Sequence, residues 1–114
     1  MAGYPTYDEL VSDRRRALRA VALRAVRHAD AKVRAAGGRL VVFGSLAEGG
    51  FDDRSDIDLA ILGVAAGADE RLAVEIDTDL GRAGFPCDVI PERFLTPSLR
   101  ERIERHGREP STLG

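Results

Sequence analysis

Two aspartates separated by one residue are the clearest candidates for chemistry in this sequence. Asp56 and Asp58 flank Ile57 at the start of an apolar run that ends at Leu62. On a β-strand this spacing puts both carboxylates on one face, while the residue between them points to the other face. Adjacent carboxylates repel each other unless one is protonated or a cation lies between them, and Mg²⁺ prefers such oxygen ligands. Taken alone, the pair is more typical of a surface turn or of the polar start of a strand.

A Gly-Ser pair stands directly after an earlier apolar run at residues 40–43. Gly44 lets the backbone turn sharply and allows a phosphate to approach closely. Ser45 can start a short helix whose free N–H groups favour an anion. The alternative is a plain turn that ends the strand and is capped by Ser45. The segment is not a P-loop, because the lysine and the glycine spacing of that motif are missing.

A third carboxylate, Asp88, lies in the short apolar segment of residues 87–90. A charge in such a segment is costly to bury without a partner. If this strand lies beside the strand of Asp58, the carboxylates of Asp56, Asp58 and Asp88 face the same way. Three carboxylates around two divalent ions can hold the attacking and leaving oxygens of an in-line phosphoryl displacement. The alternative is an edge-strand aspartate in solvent, but the three signals together favour a metal site.

The helices that flank these residues follow from apolar side chains that recur every three or four positions. Thr6 and Glu9 form a capping box at the start of the first helix, and Ser98 and Glu101 form a second one at the start of the last. Glycines mark the helix ends, because glycine adopts the left-handed C-cap conformation at little cost. The first predicted helix runs from its cap at Thr6 to its stop at Gly37-Gly38, and the other two cover residues 69–80 and 98–106.

Three short apolar runs predict the strands, which cover residues 40–43, 57–62 and 87–90. Pro91 is expected to stop the third strand. Phe43, Phe85 and Phe94 flank the strands and are expected in the core, and Phe51 is expected to pack beneath its glycine-rich turn. The element order is helix, strand, short helix or turn, strand, helix, strand, helix. This order predicts an α/β (α+β) fold in which helices flank a small mixed β-sheet.

Length and composition limit the classes of protein that the chain can represent. With 114 residues, 44% of them apolar and 32% charged, the chain is expected to form a single domain over residues 1–114. A single cysteine, Cys87, excludes an intramolecular disulfide framework, and its apolar neighbours favour a buried thiol over a nucleophile. The sequence shows neither a signal peptide nor an apolar stretch long enough to span a membrane, so we expect a cytoplasmic protein.

Charge is distributed unevenly along the chain, although the net charge is only −2. Residues 12–36 hold seven arginines and one lysine against two aspartates. Such a run is most often a solvated helix face, and the alternative is a surface for phosphate or for an acidic partner. The near-zero net charge and the six aromatic residues argue against general nucleic-acid binding.

The order of these motifs resembles the nucleotidyltransferase superfamily that includes DNA polymerase beta and kanamycin nucleotidyltransferase. Gly44-Ser45, then Asp56-Ile57-Asp58 and then a strand with Asp88 are most similar to its smallest members, the minimal nucleotidyltransferases. The resemblance implies a nucleotidyltransferase fold in which Asp56 and Asp58 bind two Mg²⁺ ions. It also implies that Asp88 completes the catalytic metal site and helps to deprotonate the acceptor hydroxyl. Gly44 and Ser45 would hold the nucleotide phosphates.

The same resemblance implies a reaction and a partner. Minimal nucleotidyltransferases often act as the antitoxin of a HEPN-type helical toxin, and some transfer AMP from ATP to a tyrosine of that partner. We therefore expect a nucleoside triphosphate as donor and a hetero-oligomer with a HEPN-type protein. Two alternatives remain: a non-catalytic antitoxin that neutralises its partner by binding, and a small-molecule nucleotidyltransferase, which normally needs a further acceptor-binding domain.

One departure from the family pattern concerns the residues that follow Gly44-Ser45. Many relatives carry basic residues there, whereas this chain has Leu46 and Glu48. Leu46 cannot contact phosphate, and Glu48 would repel it. Arg54 and Arg39 are the candidates to supply the missing positive charge.

Overall fold

The computed structural model describes residues 3–114. Its first helix, α1 (Tyr7–Ala35), begins in the predicted capping box: the Glu9 N–H donates to the Thr6 hydroxyl at 3.1 Å, and the Thr6 N–H donates to the Glu9 carboxylate. The helix ends as predicted before Gly37, which takes a positive φ of 84°.

The sheet has three strands, β1 (Arg39–Phe43), β2 (Ile57–Leu62) and β3 (Cys87–Pro91), in that spatial order. The β1–β2 pair is antiparallel and is connected through the short helix α2 (Ser45–Glu48). The β2–β3 pair is parallel, because the connecting helix α3 (Ala68–Arg82) returns the chain to the same end of the sheet. The predicted α/β fold with a small mixed sheet is therefore confirmed.

The two faces of the sheet have different partners, because successive side chains of a strand alternate between faces. On one face, which we call the core face, Ile57, Leu59 and Ile61 pack with the buried residues of α1 and α3. On the other face, which we call the site face, Val41, Phe43, Ala60, Leu95 and Ile103 form a second apolar cluster. Ile103 belongs to α4 (Pro97–His106), so this helix covers part of the site face.

The predicted end of β3 and the predicted start of the last helix were wrong. Pro91 does not stop β3 but belongs to it and pairs with Ile61, which is tolerated because β3 is an edge strand. Thr96, and not Ser98, is the N-cap of α4, because Pro97 takes the first helical position and the Thr96 hydroxyl accepts the N–H of Leu99.

Three of the four phenylalanines lie where the sequence predicts. Phe43, Phe51 and Phe85 are buried, with the rings of Phe51 and Phe85 6.4 Å apart. Phe94 is 57% exposed, so its expected place in the core was wrong. The Arg93 guanidinium lies over the Phe94 ring at 4.7 Å and covers one of its faces.

Part of the basic segment has a structural role. Arg27 donates to the carbonyl of Leu113 at 2.9 Å, and Arg19 donates to the carbonyl of Gly114, so the C-terminal residues are attached to α1. Lys32 forms ion pairs with Glu75 and Asp79 of α3. These contacts pair part of the positive charge of the basic segment with acceptors of the chain itself, so this part of the charge does not require a ligand. Within residues 3–114, no helix is both long and apolar enough to cross a membrane.

Candidate active site

The site face brings two of the three singled-out aspartates directly opposite each other. Asp58 of β2 and Asp88 of β3 are register partners in the parallel ladder. Paired residues of neighbouring strands point to the same face, at a strand spacing of about 4.8 Å. Phe43, the last residue of β1, is the partner of Asp58 on its other side. The facing carboxylates therefore lie where β1 ends and where β2 and β3 begin.

Gly44 forms a sharp bend against one of these carboxylates. Its φ of 69° and ψ of −155° are a conformation that residues with a side chain rarely adopt. A Cβ atom at this position would lie 2.2 Å from Oδ2 of Asp58, which is inside the contact distance of the two atoms. The absence of a side chain thus lets the backbone rest on the Asp58 carboxylate. Ser45 follows as the first residue of α2.

Asp56 lies just before β2 at the end of a loop that is fixed by its own hydrogen bonds. Oδ1 of Asp52 accepts the N–H of Arg54 at 2.9 Å and the hydroxyl of Ser55 at 3.0 Å. These two hydrogen bonds lower the pKa of Asp52 below its usual value. The Asp56 side chain is exposed, and its charge acts on Asp58.

The electrostatic environment of Asp58 is unfavourable for its negative charge. Burial and the facing Asp88 carboxylate raise the pKa of Asp58, Arg102 opposes this effect, and Asp56 and Glu48 add to it. A cation placed between these carboxylates would remove the conflict, since an opposite charge favours the ionised form.

The donor chemistry of this pair fits a hard divalent ion. Mg²⁺ is usually bound by one or two carboxylates together with substrate phosphates, and Asp58 and Asp88 supply two such carboxylates on one face. The described residues contain no group of three or more histidine, cysteine, aspartate or glutamate side chains already gathered around one metal position. The preformed part of the site is the facing pair and the Gly44 bend.

Glu48 and Arg102 form an ion pair beside this site that the sequence did not indicate. Glu48 ends α2, and its Oε2 accepts hydrogen bonds from Nε and Nη2 of Arg102 at 3.1 and 2.8 Å. Arg102 is carried by α4, 54 residues further along the chain. Leu46 is 1% exposed and belongs to the core, so its lack of charge has a packing reason.

The two arginines suggested by the sequence lie elsewhere. Arg39 begins β1, at the end of the strand away from the bend, and pairs with Glu109 at 3.6 Å. Arg54 lies in the loop before β2 and lines a cleft beneath the first turns of α1. The structure therefore places Arg102, rather than either of these residues, beside the site.

Cys87 neighbours Asp88 but is not a reactive thiol. Burial raises the pKa of its thiol to about 12, and the hydrogen bond to Asp77 at 3.3 Å acts in the same direction. The thiolate needed for nucleophilic attack is therefore scarce near neutral pH.

The sequence matches that of a known protein family. A family model described as a nucleotidyltransferase domain matches residues 24–109. The chain belongs to the nucleotidyltransferase domain family. It is therefore a transferase, and its class of reaction is nucleotidyl transfer. The matched segment contains the Gly44 bend, all three aspartates and both members of the Glu48–Arg102 pair.

Two solved structures share the fold of this nucleotidyltransferase domain. One, described as a proposed minimal nucleotidyltransferase, is 30% identical over 75% of this chain and 93% of its own, with a TM-score of 0.53. The other, described as a toxin–antitoxin with AMP-PNP, is 19% identical over 77% of this chain and 71% of its own, with a TM-score of 0.54. No curated protein matches the chain.

Proposed function

We propose that this nucleotidyltransferase moves AMP from ATP to a hydroxyl group on a partner protein, with Mg²⁺ as its cofactor. The observation that carries the proposal is the pair of facing carboxylates, Asp58 and Asp88, with the Gly44 bend resting on one of them. Two like charges at one end of a sheet favour a bound cation. Because Gly44 has no side chain, the bend packs directly against the Asp58 carboxylate, and α2 begins beside the pair.

Each residue has a defined part in this reaction. The acceptor oxygen attacks the α-phosphorus of ATP, the bond from that phosphorus to the bridging oxygen breaks, and pyrophosphate leaves. Asp88 accepts the proton of the acceptor hydroxyl, since it lies on the open edge strand. Gly44 and Ser45 hold the phosphates, and Asp56, Asp58 and Asp88 hold two Mg²⁺ ions. When bound, Mg²⁺ neutralises charge on the triphosphate and on the leaving group.

The partner in this proposal is a HEPN-type helical toxin, which makes the present chain the antitoxin of a toxin–antitoxin pair. The resemblance to minimal nucleotidyltransferases supports this assignment. Further support comes from the shared fold with a structure described as a toxin–antitoxin with AMP-PNP, an ATP analogue. On this proposal the two proteins form a hetero-oligomer in the cytoplasm, and the acceptor hydroxyl belongs to the toxin.

The test is transfer of label from ATP to the candidate partner. The purified chain is incubated with Mg²⁺, the protein encoded beside it and ATP labelled either at the α-phosphate or at the γ-phosphate. We expect label on the partner only from the α-labelled nucleotide. Asp88→Asn and the double variant Asp56→Asn/Asp58→Asn are expected to lose this transfer by orders of magnitude while remaining folded. Asp53→Asn, an exposed carboxylate of the same loop, is the matched control and should retain it.

A second function is favoured by one observation, the acidic Glu48 and buried Leu46 at positions where relatives often carry basic residues. This function is that of a non-catalytic antitoxin, which neutralises its partner by forming a complex. A tight complex without label, unchanged in the aspartate variants, would establish it and refute the transfer. Label on a small hydroxyl compound in the absence of any partner would instead indicate a small-molecule nucleotidyltransferase.

A further inference from the structure

Arg102 is held on the same side of the sheet as the facing aspartates. Its neighbour Ile103 is buried in the cluster of the site face, so this part of α4 is packed firmly against the sheet. The Arg102 side chain extends to the end of α2 and contacts Glu48. Since α2 begins at the bend that rests on Asp58 and contains a single turn, Glu48 lies about one helical turn beyond the bend, and Arg102 contacts its carboxylate there.

The ion pair leaves part of the guanidinium free for a second acceptor. Nε and Nη2 of Arg102 donate to Glu48, and within residues 3–114 no hydrogen bond involves Nη1. The Arg102 side chain is 49% exposed and the Glu48 side chain 31%, so a ligand can reach both. An ion pair this exposed contributes little to folding stability.

The proposed triphosphate needs a positive charge that the residues after the bend do not supply. Leu46 is in the core, and Glu48 is acidic. A planar guanidinium binds phosphate oxygens through two parallel hydrogen bonds, which makes arginine well suited to this task. Of Arg39, Arg54 and Arg102, only Arg102 contacts a residue of α2, whereas the other two lie elsewhere.

We infer that Arg102 binds the β- and γ-phosphates of the nucleotide, while Glu48 holds the guanidinium in position. The inference rests on the proposed function, because it takes ATP as the ligand. The reacting α-phosphate must lie near Asp58 and Asp88, so a cation that contacts Glu48, at the end of α2 away from the bend, is placed to meet the far end of the triphosphate. Arg102 is thus a substrate-binding residue, and Glu48 is a positioning residue.

The test compares the affinities of ATP and AMP in the presence of Mg²⁺ and in the absence of any partner, measured by titration calorimetry. Arg102→Gln is expected to weaken ATP binding roughly tenfold to a hundredfold, the usual loss of hydrogen bonds to a charged group. AMP binding should change by less than about threefold, because AMP lacks the contacted phosphates. Arg102→Lys keeps the charge but not the planar fork, so an intermediate loss is expected.

Arg39→Gln and Arg54→Gln are the matched controls, since each removes one positive charge from an exposed arginine away from the bend. Both should bind ATP as the unmodified protein does. Equal losses of ATP and AMP affinity in Arg102→Gln, or no loss at all, would overturn the inference and leave the proposed function intact. Failure of the unmodified protein to bind ATP would overturn the proposed function, and the inference with it.

Discussion

Replacing Asp58 by asparagine is expected to stabilise the metal-free protein while removing its activity. Asp58 and Asp88 face each other across neighbouring strands, about 4.8 Å apart. Two unit charges at this separation repel by about 0.9 kcal/mol at the dielectric constant of water and by about 3.5 kcal/mol at an effective value near 20. Because the Asp88 side chain is exposed, the lower figure applies, and it agrees with the effect of like charges paired across a sheet. We expect a gain of about 1 kcal/mol, or roughly 3–6 °C in melting temperature for a chain of this length.

The raised pKa of Asp58 predicts how the stability difference between the two proteins depends on pH. Burial and Asp88 raise the pKa of Asp58, so the folded protein retains a proton at pH values where the unfolded chain has lost it. The stability contributed by this group therefore falls as the pH rises from the ordinary aspartate range, about 3.9, through the raised value. The asparagine variant lacks this fall. Its advantage should therefore grow as the pH rises through the raised pKa and should disappear in acid, where both proteins are uncharged at this position.

The assay is thermal unfolding followed by circular dichroism, in a chelating buffer over a series of pH values and again with Mg²⁺. Mg²⁺ should raise the melting temperature of the unmodified protein more than that of Asp58→Asn, because a ligand of the folded state stabilises it. Asp53→Asn is the control, expected to change stability by no more than about 0.5 kcal/mol. An Asp58→Asn variant that melts at or below the unmodified protein near neutral pH, or whose gain persists in acid, would refute the electrostatic reasoning.

Three further substitutions test the bend, an ion pair of α3 and a helix cap. Gly44→Ala should abolish transfer and destabilise the fold by about 1–3 kcal/mol in denaturant titrations, because its Cβ would meet the Asp58 carboxylate in a strained backbone conformation. Arg93→Ala should lower the melting temperature, since it leaves the buried Asp69 carboxylate without the donor that it contacts at 2.7 and 2.8 Å. Burial raises the pKa of Asp69, but the hydrogen bonds from Arg93 lower it and the net effect is a lowered pKa. The stability lost in Arg93→Ala should therefore shrink as the pH falls and Asp69 becomes protonated. Thr96→Ala should cost about 1 kcal/mol in the same titrations and leave transfer unchanged, and Thr96→Ser should restore stability.

The strands and most helix bounds were predictable because local patterns determine them. The apolar run from Ile57 to Leu62 has the same first and last residues as β2, and the capping box of Thr6 and Glu9 begins α1. One error occurred where a neighbour overrides a local signal. Pro97 at the first helical position moves the cap of α4 from Ser98 to Thr96.

The candidate site was predictable only in its backbone-determined part. A parallel β2–β3 pair follows from the helix between the strands, and the register then sets Asp58 opposite Asp88. The contact of Glu48 with Arg102 joins residues 54 positions apart, on different helices, and depends on how α4 packs against the sheet. No local pattern encodes such a contact. The sequence therefore showed that the segment after Gly44-Ser45 lacks a basic residue, but it did not show that Arg102 lies beside this segment.

One face of the sheet supplies apolar packing and the other presents the aspartates, which explains why this small fold can carry a destabilising pair of carboxylates. Along β2, Ile57, Leu59 and Ile61 are fully buried on the core face, and Asp58 lies between them on the site face. Burying each of these large side chains contributes about 1.5–3 kcal/mol, which exceeds the repulsion of about 1 kcal/mol at the facing pair. The strand that presents Asp58 is thus held in place by side chains that never contact the site. Substitutions of the charged residues on the site face should consequently change charge and binding without unfolding the sheet, and this independence makes the aspartate and arginine variants informative about function.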